Sequence, residues 1–110
     1  MALAKSAAKI AGDKKADDVI ALNVQKLSSE ANYVVIASAG SSTQVNAIRQ
    51  TIFQEFKDAH GLLPLYYDGR QSPSWSILDY GGLTVHLMSP SARSFYNLDK
   101  IYSEGRKLKV

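Results

Sequence analysis

The chain has 110 residues, of which 45% are hydrophobic and 21% are charged, and its formal net charge is +3. This length and composition predict one small domain with a single core and leave little room for a second domain. The absence of cysteine excludes disulfides, thiolate metal sites and cysteine nucleophiles, and the small basic excess argues against a surface dedicated to nucleic acid.

The first predicted element is a helix over residues 1–12, where Leu3, Ala7 and Ile10 recur at helical spacing before a stop at Gly12 and Asp13. This region has no apolar run of signal-peptide length. Nowhere does the chain approach the roughly 20 apolar residues that span a bilayer. We therefore expect a soluble, cytoplasmic protein without membrane contact.

Two strands and a long helix follow. Residues 16–24 predict a short strand, a loop is expected at 28–30, and the apolar run YVVIA over 33–37 is typical of a central strand covered on both faces. A hydroxyl residue after Gly40 can cap the next helix. The helix has one apolar stripe and ends near His60 and Gly61, the stripe being Val45, Ile48, Ile52, Phe56 and Ala59.

The second half of the chain predicts more β-structure. Residues 65–67 form a possible strand, 68–74 a loop, 75–88 a hairpin and 91–102 a last helix, before a basic tail over 103–110. The order α-β-β-α-β-β-β-α predicts a single-domain α/β or α+β fold, in which helices cover a mixed sheet of about five strands. The tail allows at most peripheral contact with RNA.

The hairpin has a predicted register because a two-residue Gly81-Gly82 loop favours a primed turn. Alternation then places Ser76, Leu78, Tyr80, Leu83, Val85 and Leu87 on one face, which is typical of a core. The other face mixes apolar side chains with an acid and an imidazole: Trp75, Ile77, Asp79, Thr84, His86 and Met88. An exposed patch of this kind indicates a binding surface, with the tryptophan as its anchor.

Asp79 and His86 are diagonal neighbours across the hairpin, and three interpretations stay open. They can be a catalytic pair, a structural pair that holds the hairpin, or part of a partner-binding face. Catalysis would need a nucleophile or a metal beside them, and Ser76 lies on the opposite face. Gly40-Ser41 can bind an anion at a helix N-terminus or act as a plain cap, and Asp17 and Asp18 point to opposite sides of a strand. We predict no catalytic, cofactor-binding or metal-binding residue.

Several ordered motifs occur at compatible spacing, namely KKADDV (14–19), NYVVIAS (32–38), QVNAI (44–48), DG (68–69), WSILDYG (75–81), VH (85–86) and RSFYNLD (93–99). Together they resemble the ribosomal silencing factor, or Iojap, family over residues 10–102. The sequence departs from the family pattern where Asn23 and Asn32 replace aspartates, Asp68 replaces glutamate and Tyr102 replaces tryptophan.

The resemblance implies a nucleotidyltransferase-like fold without the enzyme's chemistry. It also implies binding to the large ribosomal subunit through the large-subunit protein numbered fourteen. This binding would block joining of the small subunit and repress translation under nutrient limitation. Matched positions assign Trp75, Asp79, His86 and Tyr80 to the contact. The last helix adds Arg93 and Tyr96, which either flank the contact or only pack that helix.

Three alternatives to subunit blocking stay open. The first is a role in assembly of the large subunit, which the resemblance implies through the organelle relatives. An active nucleotidyltransferase would need a D-x-D motif, but Ala21-Leu22-Asn23 stands in that place. A homodimer of the free protein is the third, since an exposed apolar face can pair with itself.

Overall fold

The computed structural model describes residues 2–27, 32–68 and 75–108. The predicted loop at 28–30 lies outside these ranges, as do residues 69–74 of the loop predicted over 68–74, whereas Asp68 belongs to a strand. The elements in chain order are α1 (Ala2–Asp13), β1 (Asp17–Asn23), β2 (Tyr33–Ser38), α2 (Ser42–His60), β3 (Tyr66–Asp68), β4 (Trp75–Asp79), β5 (Leu83–Met88), α3 (Pro90–Tyr96), α4 (Leu98–Ile101) and β6 (Arg106–Lys107).

All the described strands belong to one sheet in the order β3-β4-β5-β2-β1-β6. Only the β2–β5 pair is parallel, and the other neighbours are antiparallel. The predicted mixed sheet and α+β class are confirmed. Strand β2 is central as predicted, because Val34, Val35 and Ile36 are fully buried on alternating faces.

Helices α1 and α2 cover one face of the sheet. Val45, Ile48, Ile52 and Phe56 of the predicted α2 stripe pack there with alanines of α1 and with strand residues that include Val35, Leu78 and Val85. Ala59, the last residue of the predicted stripe, is exposed. The ends of α2 follow the sequence signals. Ser41 Oγ accepts a hydrogen bond from Gln44 N at 3.2 Å, and Gly61 ends the helix in the left-handed region at φ +65°.

The opposite face is covered by two short helices rather than the single helix predicted over 91–102. Asn97 separates α3 from α4 because it adopts φ +52°, which helical geometry does not allow. Ser89 caps α3, with Pro90 at its first turn. Part of the predicted basic tail is also ordered, since β6 pairs with the edge of β1. Within the described ranges, no helix is long and apolar enough to cross a membrane.

Candidate partner-binding surface

The β4–β5 hairpin has the register that its sequence predicts. Ile77 lies opposite His86, Asp79 opposite Thr84, and Trp75 opposite Met88. Tyr80 N donates to Leu83 O at 2.8 Å across the turn, and Gly81 takes a positive φ of +88°. A side chain there would be strained and would lie 3.3 Å from Leu65 Cδ1. The turn therefore fixes which side chains share each face.

Trp75 is half-buried and is held from two sides. Its indole Nε1 donates a hydrogen bond to His86 Nδ1 at 3.1 Å. Its ring lies against Tyr96 of α3, with centroids 4.5 Å apart and planes tilted by 47°. Since the only polar atom of the indole is satisfied inside the protein, the remaining ring surface presents apolar carbon.

His86 is the buried half of this contact, with 9% of its surface exposed. Burial lowers the pKa of His86 to about 4, against a smaller opposing effect of the nearby Asp79 carboxylate. The imidazole is therefore neutral at physiological pH. In that state Nδ1 carries a lone pair, which the hydrogen bond from Trp75 requires.

Asp79 and His86 have different hydrogen-bond partners. One of its carboxylate oxygens accepts a hydrogen bond from Gly81 N at 2.8 Å, which closes the turn, and the side chain stays half-buried. The two side chains therefore act separately, His86 on Trp75 and Asp79 on the turn. The geometry favours structural roles at a presented surface over a catalytic pair.

The expectation that the whole second face is exposed is wrong at two positions. Met88 is fully buried, and His86 nearly so. Met88 is covered by α3 and α4, whose Ala92 and Leu98 pack with Met88, Val34 and Leu22 in a second small core. His86 lies against the Trp75 ring, with centroids 5.9 Å apart. Ile77 and Thr84 are half-buried and remain accessible.

Two further residues of the predicted contact point elsewhere. Tyr80 packs on Phe56 of α2 with ring centroids 5.0 Å apart, on the face opposite Trp75. Its buried hydroxyl has no hydrogen-bond partner among the described residues, and burial raises its pKa to about 12. Arg93 is bound to other parts of this chain, through Asp99, Ser38 and the carbonyl of Asp18. Both side chains are thus engaged mainly with other parts of this chain.

Phe95 was missed by the sequence reasoning. It is 81% exposed and contacts Tyr96 edge-on at 5.1 Å, while Tyr96 is 49% exposed. The adjacent aromatic pair in FYNLD was visible as a signal, because two neighbouring positions of a short amphipathic helix cannot both face the core. We define the Trp75 surface as the accessible group Trp75, Ile77, Asp79, Thr84, Phe95 and Tyr96.

The other candidate sites have ordinary roles. Ser41 is a helix cap, as described above, and Asn23 Oδ1 accepts a hydrogen bond from Gln25 N in the turn after β1. Asp17 and Asp18 are exposed at a bulge in β1, where Asp18 has φ +49°. Across the described ranges, no group of three or more potential metal ligands occurs.

Comparison with known proteins gives consistent matches. Residues 1–110 match the family described as "Ribosomal silencing factor during starvation". The ribosomal silencing factor RsfS of Bacillus subtilis is 33% identical over 101 residues, covering 92% of this chain and 85% of that protein. RsfS of Zymomonas mobilis is 37% identical over 93 residues, covering 84% and 69%. A crystal structure of a Chromobacterium violaceum protein matches with a TM-score of 0.87 at 29% identity, covering 98% and 88%.

Proposed function

Since this chain belongs to the ribosomal silencing factor family, as its motifs predicted, we propose that it binds the large ribosomal subunit and blocks joining of the small subunit. The contact is with the large-subunit protein numbered fourteen, and the outcome is repression of translation when nutrients are scarce. The protein acts in the cytoplasm, on the ribosome, without catalysis or a cofactor.

The observation that carries this proposal is the presentation of Trp75. A half-buried tryptophan with its donor already satisfied, flanked by an exposed aromatic pair, is typical of the centre of a protein–protein contact. A ring held on two sides loses little conformational freedom on binding, so more of its burial contributes to affinity. The partner should therefore present an apolar recess to the indole.

Asp79 and Thr84 supply the polar edge of the Trp75 surface. They lie opposite each other on β4 and β5, and both are half-buried. The carboxylate is placed to pair with a basic group of the ribosomal protein, which would fix the orientation of docking. His86, Met88 and Tyr80 support this surface from below or behind.

The test is sedimentation of the protein with purified large and small subunits, comparing the wild type with Trp75→Glu. The wild type should comigrate with the large subunit only and lower the amount of joined ribosomes. A carboxylate in the apolar contact would remove both effects. Leu63→Glu is the matched control, because Leu63 is 57% exposed outside the Trp75 surface, and it should behave as wild type.

Several outcomes would contradict the proposal. Binding by a folded Trp75→Glu variant would place the contact elsewhere. A wild type that binds large subunits without reducing joining would favour the assembly role. Magnesium-dependent nucleotide binding with no subunit binding would favour the enzyme.

The free protein is proposed to form a homodimer through the same surface. We therefore expect the homodimer to dissociate when large subunits are added.

A further inference from the structure

Helix α3 has little apolar anchorage of its own. It has seven residues, and Ala92 is the only one of them that is buried. A helix this short is not stable alone in water, and burial of one alanine side chain contributes little. Polar contacts must therefore do much to fix its position on the sheet.

Arg93 provides those contacts. Its Nη1 donates to the Asp18 carbonyl at 2.6 Å and to Ser38 Oγ at 3.1 Å, at the bulge of β1 and the end of β2. Its Nε and Nη2 donate to the two carboxylate oxygens of Asp99 on α4, at 3.1 and 2.9 Å. The guanidinium thus ties α3 to two strands and to α4, and its side chain is only 11% exposed.

The same helix carries Tyr96, one turn after Arg93. Tyr96 covers one side of the Trp75 ring at 4.5 Å, while His86 holds the indole nitrogen. The position of α3 on the sheet therefore sets how much of the indole is covered and how much is presented. Arg93 lies on the β1–β2 side of α3 and is bound to groups of its own chain.

We infer that Arg93 is a positioning residue of the Trp75 surface, which fixes α3 so that Tyr96 holds the Trp75 ring in its docking orientation. This inference rests on the proposed function for its consequence on binding. Arg93 then acts without touching the ribosomal partner. Its bidentate pair with Asp99 helps to fix α3.

The experiment uses the full chain with Arg93→Lys, Asp99→Asn and the control Arg106→Lys. Lysine keeps the charge but cannot make the forked contact with a carboxylate. Arg106 is exposed on β6, so the control makes the same substitution away from α3. Trp75 is the sole tryptophan, and its emission and acrylamide quenching therefore report directly on the cover provided by Tyr96.

The expected result is a red-shifted, more readily quenched Trp75 in Arg93→Lys, with binding to large subunits weakened roughly tenfold. Asp99→Asn should show the same changes to a smaller extent, because the contacts to Asp18 and Ser38 remain. The Asp99→Asn variant also tests the inference if Arg93→Lys does not fold. Arg106→Lys should match the wild type in both measurements.

Two results would overturn the inference. If the folded Arg93→Lys protein melts earlier but keeps its emission and affinity, the contacts only stabilise the fold. If its affinity falls while the emission is unchanged, Arg93 touches the partner directly. Failure of the proposed function gives a different result: a folded Trp75→Glu variant still binds large subunits, whatever the emission of the Arg93 variants.

Discussion

The two faces of the sheet are covered in different ways. On one face the 19-residue helix α2 and the helix α1 bury a continuous apolar core that includes Phe56, Ile48 and Ile52. On the other face, two helices of seven and four residues cover only part of the sheet. The first face is held mainly by apolar burial, with Gln44 of α2 also donating to the carbonyls of Lys14 and Lys15. On the second face, α3 is held mainly by the hydrogen bonds of Arg93.

This difference predicts that separate groups of residues determine stability and recognition. The face under α2 supplies most of the apolar burial. The face under α3 buries less and presents aromatic rings at its margin. If the proposed Trp75 surface is the docking site, residues that matter for folding and for docking lie on opposite sides of one sheet, and substitutions should separate the two properties.

The largest expected effect is that of Phe56→Ala. Phe56 is fully buried between α2 and the sheet and contacts the rings of His60 and Tyr80. Truncation should lower the free energy of unfolding by about 3–5 kcal/mol, measured by urea denaturation. The matched variant Phe95→Ala removes the same group where it is 81% exposed, and should change stability by less than about 0.5 kcal/mol. Equal losses in the two variants would refute the division between the faces.

A smaller effect is expected from pH, and only on the face that carries Trp75. The pKa of His86 is lowered to about 4, so the unfolded chain binds a proton that the folded chain does not between about pH 6.5 and pH 4. The free energy of unfolding should therefore fall with decreasing pH across this window, by about 3 kcal/mol from this group. Denaturation at several pH values measures it, and Trp75 emission should change near pH 4, where Nδ1 gains a proton.

The substitution His86→Gln isolates this contribution. Glutamine does not titrate and its carbonyl oxygen can accept from an indole N–H. The His86→Gln variant should lack the part of the pH-dependent fall in unfolding free energy that His86 contributes in the wild type. His60→Gln, at the exposed end of α2, should retain it. A wild type and a His86→Gln variant with identical pH profiles would contradict the assignment.

The smallest effect concerns the two helix caps. Ser41 caps α2 and Ser89 caps α3, each through a side-chain oxygen that accepts a backbone N–H. Replacing either serine by alanine should cost about 1 kcal/mol in urea denaturation. Only Ser89→Ala should also change the quenching of Trp75, since only α3 carries a side chain that covers it. A change in quenching for Ser41→Ala would mean that the faces are coupled.

Local sequence signals predicted much of the fold. The Gly81-Gly82 step gave the correct hairpin register, and the apolar run after Asn32 gave the central strand, because period-two alternation and turn chemistry are local properties. The caps of α2 could be read in the same way. The break at Asn97 was not predicted, since a single residue in the left-handed region interrupts an otherwise helical pattern.

By itself, the sequence determined the α+β class, the hairpin faces and the family, because each rests on residue order and spacing. Tertiary structure alone decided which residues of the second face are accessible. Met88 packs under Ala92 and Leu98 of the cover, and His86 is buried against Trp75, although the hairpin pattern offered both to a partner. Tyr80 packs on α2, on the core face that the pattern gave it. Burial depends on which other elements pack on each face of the sheet, and that packing is not encoded in the local period.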